Sequence, residues 1–397
     1  MKEGWTYKKL GEVCDIYNGN SINAEYKKDN YFGAKLGLPF IATKDIICNG
    51  SIDYDNGVRI PDYHNYKVAP ANSVFICAEG GSAGKKFAYV EKNVCFGNKL
   101  FCIKPKDNNL EGKFIYHYIQ SDLFKKQFTT FISGLIGGVS SKKFQSIEIF
   151  MPSLNEQKKI VSRLDAAFAH IDALKANAEK QLKDARALFQ KSLAKAMEPK
   201  ESWKENTLQE IVDDNCPVSY GIVQQGDHIE GGIPVVRPID LNKKFVSLEN
   251  LKCTTQSISS SYRRTILRGD EILLSVRGTT GVVSLATPEL KGCNVNRGIV
   301  PLYFKDIISK DYVYYAMVSP IMQSVFAEKT TGSTLKQINI KDLRLIKLSY
   351  PNLAEQKRIV ERLDSLSAHV RELEEIQKKI ISECDALKQA LLRKVFE

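Results

Sequence analysis

Residues 152–165 read PSLNEQKKIVSRLD, and residues 351–364 read PNLAEQKRIVERLD. Ten of the fourteen positions are identical, and the second stretch begins 199 residues after the first. Chance does not give such a match, so the chain of 397 residues reads as two copies of one unit. The repeat extends upstream with a drift of a few residues. Trp5, Leu10 and Glu12 match Trp203, Leu208 and Glu210. Gly37-Leu38-Pro39-Phe40 matches Gly232-Ile233-Pro234-Val235, and Asn98-Lys99 matches Asn296-Arg297. The boundaries that follow are a variable part at 1–151, a tail at 152–200, a second variable part at 201–350 and a second tail at 351–397.

Both tails predict long helices. Residues 153–198 contain neither glycine nor proline. Apolar residues fall at Ile160, Leu164, Phe168, Ile171, Leu174, Ala178, Leu182, Ala185, Leu188 and Leu193, in steps of mostly three and four. The second tail repeats this from Ile359 and Leu363 to Leu391 and Val395. Pro152 and Pro351 close the preceding segments. Ser153-x-x-Glu156 is a capping-box pattern and Asn352-x-x-Glu355 its near equivalent. A helix of about 44 residues is about 66 Å long. Its apolar stripe needs a partner, and the other tail is the expected one, giving a paired coil. Packing of each stripe on its own domain is the alternative.

The variable parts read as mixed α/β. Strands are expected at Pro39–Ala42, Ser73–Ala78, Leu100–Ile103 and Ile147–Phe150, then at Ile233–Val236, Glu271–Val276, Ile299–Phe304 and Leu343–Leu348. Helical patterns cover Lys113–Phe128 and Lys310–Phe326.

Three regions carry candidate binding residues. The first is the glycine-rich stretch after Ser73–Ala78, with Glu79, Ser82, Lys85 and Lys86, and its counterpart with Arg277, Thr279 and Thr280. Exposed backbone N–H groups beside a cation suit a phosphate or a base edge, and an ordinary turn is the other reading. The glycine spacing does not meet the P-loop pattern. The second region is Asn98-Lys99 and Asn296-Arg297, since Asn pairs with adenine and Arg or Lys with guanine, and a turn Asn beside a solvated cation is the other reading. The third is GLIGGVSSKKF at 134–144, with Ser140, Ser141 and Lys142, matched to TTGSTLKQINI at 330–340, with Ser333, Thr334 and Lys336. Small, hydroxyl and basic residues in a loop suit backbone phosphates, and a solvated connector is the alternative. Lys44 and Arg237 are further candidates of the same kind.

Composition narrows the function classes. Basic residues number 57 against 46 acidic, a net charge of +11 that favours an anionic partner such as nucleic acid. The excess divides as +5, +4, +2 and 0 over residues 1–152, 153–200, 201–351 and 352–397. Nine scattered cysteines without a Cys-x-x-Cys point to reduced thiols of a cytoplasmic protein. No apolar run spans a membrane, and MKEGWTYKKLGEVCDI does not read as a signal peptide. Neither a methyl-transfer tetrad, a Gly-x-Ser-x-Gly, nor a Cys/His metal spacing occurs, so no catalytic or metal residue is expected. His170 and His369, again 199 apart, read as structural.

The whole chain resembles the specificity subunits of type I restriction–modification systems. The resemblance rests on the doubled helix start: Pro152, Leu154, Glu156, Gln157, Ile160, Val161, Leu164 and Asp165, and Pro351, Leu353, Glu355, Gln356, Ile359, Val360, Leu363 and Asp364. Gly332-Ser333-Thr334-Leu335-Lys336 also fits, whereas Gly137-Gly138-Val139-Ser140-Ser141 departs from it. The resemblance implies two target-recognition domains, each reading half of a split double-stranded DNA sequence. Two antiparallel helices would hold them apart, with Glu156, Gln157, Ile160, Leu164, Glu355, Gln356, Ile359 and Leu363 serving helix pairing and subunit contacts. Two methyltransferase (modification) subunits and the motor-nuclease (restriction) subunits would be the partners. S-adenosylmethionine, ATP and Mg would sit on those partners, with no cofactor and no activity in this chain.

Overall fold

The helix-forming tails dominate the fold. In the computed structural model, which describes residues 5–47, 50–134 and 137–397, one helix spans Leu154–Ala196 and another Leu353–Phe396. Cys48, the pair Leu135-Ile136 and the first four residues of the start segment lie outside the described residues. The chain forms two compact units, one of Met1–Glu179 with Lys378–Glu397 and one of Lys180–Gln377. Each unit therefore holds a stretch of both helices.

Within each unit the two stretches run antiparallel, because rising numbers on one helix meet falling numbers on the other. In the first unit Lys175 Nζ donates to both carboxylate oxygens of Asp385 at 2.7 and 2.8 Å, and Lys388 Nζ to Asp172 at 2.5 Å. In the second, Arg186 Nε donates to Glu374 at 2.7 Å and Gln377 Nε2 to Gln181 Oε1 at 2.9 Å. The apolar stripe is covered unevenly. Leu164, Phe168 and Ile171 share a core with Leu392 and Phe396 and with the domain side chains Phe114 and Tyr118. Leu193 and Leu363 do the same with Trp203, Tyr312 and Leu348. Both readings of the stripe thus hold at once near the helix ends. Leu174, Leu188, Leu373, Ile376 and Leu387 remain exposed.

The variable parts share one plan. In the first, Thr6–Lys9 pairs antiparallel with Glu148–Met151 and closes the domain where the helix begins. An antiparallel sheet orders Cys14–Asn18, Leu100–Pro105, Ser73–Cys77 and Phe87–Val90. A smaller sheet orders Arg59–Ile60, Leu38–Ile41, Val94–Phe96 and Val68–Ala69, with the central pair parallel. The second domain has the same closing pair, Lys204–Thr207 with Lys347–Tyr350. Its sheets are Val283–Leu285, Ile272–Ser275, Ile299–Leu302 and Lys252–Thr254, Ile233–Val236, Asn294–Val295, the last two strands parallel. Strand runs such as Ser73–Cys77 are buried along their whole length, which is why they read as continuous apolar stretches.

Four sequence expectations need correction. The Lys113–Phe128 pattern is two helices, Gly112–Tyr118 and Asp122–Thr130, because Ser121 caps the second by accepting from Phe124 N at 3.2 Å. Lys310–Phe326 likewise divides into Lys310–Val318 and Pro320–Lys329, where Pro320 cannot continue the first helix. The strand expected at Leu343–Leu348 begins only at Lys347, and Leu343 lies in a short helix, Ile340–Arg344. The capping boxes are half formed. Ser153 Oγ accepts from Glu156 N at 3.4 Å and Asn352 Oδ1 from Glu355 N at 3.0 Å. Glu156 Oε1 instead accepts from Trp5 Nε1 at 3.1 Å, and Glu355 Oε1 from Lys200 at 3.0 Å.

Candidate nucleic-acid interface

The three candidate regions come together in each unit through backbone hydrogen bonds. In the first unit Val139 N donates to Ala78 O at 3.0 Å, and Gly80 N to Gly137 O at 2.8 Å. In the second, Ile338 N donates to Val276 O and Gly278 N to Lys336 O, both at 2.9 Å. Glu79 is bridged to Gly138, and Arg277 to Gln337. Gly80 and Gly278 take positive φ, which only glycine adopts freely at this turn. Glu79 and Arg277 therefore occupy the same place in the two domains.

These bonds also shift two of the sequence matches. Gly97 N donates to Ile41 O at 2.9 Å, and Asn296 N to Val236 O at 2.8 Å, so Gly97 stands where Asn296 stands. The counterpart of Arg297 is then Asn98, and that of Lys99 is Gly298. The third region pairs 137–140 with 336–339, an offset of 199, whereas the sequence match used 196. Similar composition had aligned the small residues, and the backbone aligns Ser140 with Asn339 instead.

In the second unit Arg277, Arg297, Gln337, Asn339, Tyr220 and Val223 line a cavity of about 170 Å³. Among the described residues, no ion pair engages either arginine. Tyr220 escaped the sequence reading. It precedes Gly221, whose Cα has no room for a side chain because a Cβ would sit 2.1 Å from Val295 O. Gly19 is held in the same way against Phe96 O, so a Gly19/Gly221 match was available. A neighbouring cleft of about 540 Å³ shares Tyr220 and is lined by Ser260, Ser261, Tyr262, Arg263 and Arg264. This hydroxyl and basic cluster also went unread. The fully buried Asn294 holds its turn: Nδ2 donates to Ser259 Oγ at 3.1 Å and Tyr262 O at 3.3 Å, while Oδ1 accepts from Thr265 Oγ1 at 2.7 Å.

The other expected contact residues fall into two groups. Lys44, Lys99, Lys142, Thr279, Ser333, Thr334 and Lys336 are exposed. Lys85 Nζ donates to Gly81 O at 3.2 Å and braces its own loop, whereas Lys86 Nζ donates to Thr43 O at 2.9 Å and ties that loop to the turn at Thr43–Asp45. Arg237 holds Asp240 through two hydrogen bonds at 2.9 and 3.0 Å, a bond that raises its own pKa and occupies the guanidinium. Ser140 Oγ caps the helix Ser141–Gln145, Ser141 Oγ accepts from Gln145 at 3.2 Å, and Thr280 Oγ1 lies 2.9 Å from Thr330 Oγ1. Ser82 is half-buried, with its carbonyl accepting from Lys85 N.

The residues expected to pair the helices divide similarly. Ile160, Leu164, Ile359 and Leu363 pack in clusters that contain the opposite helix. The fully buried Gln157 and Gln356 fasten each helix to its own domain instead. Gln157 donates to Asn109 O and Pro152 O, both at 3.0 Å, and accepts from Glu111 N at 2.9 Å. Gln356 donates to Pro351 O at 2.8 Å and accepts from Ser309 N at 2.7 Å. His170 and His369 are exposed on their helices rather than built into the core.

Among the described residues no cluster of His, Cys, Asp or Glu is arranged for a metal. The eight described cysteines are free thiols. Burial pushes Cys14 up to about 12 and Cys95, Cys102 and Cys293 up to about 11, which leaves them unreactive. No described helix is long and apolar enough to cross a membrane. The arrangement offers hydrogen-bond donors and acceptors on loop surfaces, which is chemistry for reading a polar, anionic partner.

Comparison with known proteins agrees with this. Residues 2–184 and 200–382 each match the type I restriction modification DNA specificity domain. The EcoBI specificity subunit of Escherichia coli is 25% identical over 432 aligned positions, covering 100% of this chain and 86% of that one. The EcoR124I/EcoR124II specificity subunit of E. coli is 30% identical over 174 positions, covering 42% of this chain and 41% of that one. A chain solved in work on complex assembly and conformational transition of the type I R-M system superposes with a TM-score of 0.77 at 21% identity, covering 100% and 98%. The HsdS subunit from Thermoanaerobacter tengcongensis gives a TM-score of 0.57 at 21% identity, covering 100% and 97%.

Proposed function

Since the chain belongs to the family of type I restriction modification DNA specificity domains, which it carries twice in tandem, we propose that it is the non-catalytic specificity subunit of such a system. Each variable domain reads one half of a bipartite double-stranded DNA sequence in the cytoplasm. Two modification subunits carrying S-adenosylmethionine dock on it and methylate adenine. Restriction subunits carrying ATP and Mg join them for cleavage.

The observation that carries this reading is the pair of equivalent loop sets. Their backbones are bonded alike, yet Glu79 stands in the first unit where Arg277 stands in the second, and Asn98 where Arg297 stands. Two copies that keep the scaffold and change the presented side chains suit two different half-sites. Phosphate contacts supply most of the affinity and a few base-edge contacts the discrimination.

The test is methylation mapping with the chain and its modification subunits. The expected product is methyladenine within a split, asymmetric motif. Exchanging residues 1–151 for those of a relative should change one half of the motif and keep the other. A complex that marks no motif, or a motif indifferent to the exchange, overturns the reading.

A further inference from the structure

We propose that Arg277 reads a guanine in the half-site of the second domain, while Glu79 accepts from the cytosine N4 amino group at the equivalent point of the first half-site. This inference rests on the reading of both domains as DNA-recognition domains.

Two observations carry it. The first is equivalence: residues 78–80 and 276–278 make the same backbone bonds to 137–139 and 336–338, so the side chains at 79 and 277 leave the same turn. The second is the reversal of charge at that point. A position that contacted phosphate in both domains would carry a cation or neutral donor twice, because a carboxylate is repelled there. Base edges are the part of DNA whose donor and acceptor pattern changes with sequence.

The chemistry then assigns the bases. Guanine offers two acceptors, N7 and O6, to the major groove, which the forked donors of an arginine fit. An ionised carboxylate has acceptors alone and matches the cytosine N4 donor. Arg277 is free for this role, since no ion pair among the described residues engages it, and it shares its cavity with Arg297, Gln337 and Asn339. Glu79 is exposed and enters no ion pair among the described residues. At the adjoining position Asn98 replaces Arg297, so the first domain presents no arginine at either place.

The experiment selects from a duplex library, both half-sites randomised, with the complex of this chain and its modification subunits. Wild type is expected to fix a guanine at one position of the half-site assigned to the second domain. Arg277→Ala should lower the preference for that base by roughly 5- to 150-fold and leave every other position unchanged. Arg277→Lys keeps the charge and loses the fork, so affinity for random duplex should hold while the preference falls. Glu79→Gln should move one position of the other half-site from cytosine towards adenine. Variants that weaken all sequences equally would show a backbone contact and overturn the proposal. A wild-type complex that selects no split sequence would instead refute DNA recognition itself.

Discussion

Nε2 of the buried His117 lies 2.7 Å from Oδ1 of Asp165, the last residue of the first repeated stretch. Lys113 Nζ donates to the other carboxylate oxygen at 2.8 Å. On the second helix Asp364 accepts from the Tyr315 hydroxyl at 2.6 Å and from Lys244 at 3.1 Å. The two aspartates thus do one job with different partners: each ties its long helix to a helix of its own domain.

The hydrogen bond from His117, reinforced by Lys113, holds Asp165 down to about 2 from its ordinary 3.8. A carboxylate lowered on folding adds stability that is complete above the unfolded value and is lost as pH falls through the folded one. Asp165→Asn should therefore destabilise the protein by about 1–2 kcal/mol at pH 7, a figure reduced because the carboxylate is partly exposed. Urea titrations should show the gap to wild type closing between pH 4 and pH 2. A constant gap would mean that charge plays no part.

Arg263 and Arg264 are expected to contact phosphates, since their cleft is rich in hydroxyls and is lined by neither Arg277 nor Arg297. Replacing both with Ala should weaken binding to all duplexes alike and reduce the slope of log affinity against log salt by about 2. Fluorescence anisotropy across a salt series checks this. A change of motif would place them at a base edge instead.

Gln377, 6% exposed, is a polar residue set into the seam of the helix pair. Gln377→Leu should raise stability by about 1 kcal/mol while removing a bond that depends on register. Cysteines placed at the Lys175 and Asp385 positions should then cross-link less completely than they do with Gln377 present. Undiminished cross-linking would show that the ion pairs alone set the register.

Phe396 packs its ring against Phe114 and Tyr118 at centroid distances of 5.4 and 5.5 Å. Phe396→Ala should cost about 3–5 kcal/mol. Calorimetry should show the loss, and limited proteolysis should locate it in the unit that contains residue 114.

The sequence revealed the doubled unit and its long helices because both rest on local signals, a near-identical stretch and a 3.6-residue period. It did not reveal which surface each helix residue meets. Gln157 and Gln356 lie in the helix start and read as pairing residues, but their partners Glu111 and Ser309 come from loops more than 40 residues away. Tyr220 escaped for a related reason. It joins Arg297 through a parallel bridge between Ile222 and Asn296, and such a pairing leaves no periodic trace in either segment. The match of 134–144 to 330–340 failed because composition was similar where backbone bonding was not.

The first unit is assembled from Met1–Glu179 and Lys378–Glu397, whereas the second is continuous. That difference sets an order of birth. During synthesis at about 5–20 residues per second, residue 178 waits roughly 10–40 s for the residues that complete its core. The second unit has every residue it needs before then. It is expected to fold first, and the half made earliest is the one finished last, with its apolar surface open to chaperones in the interval.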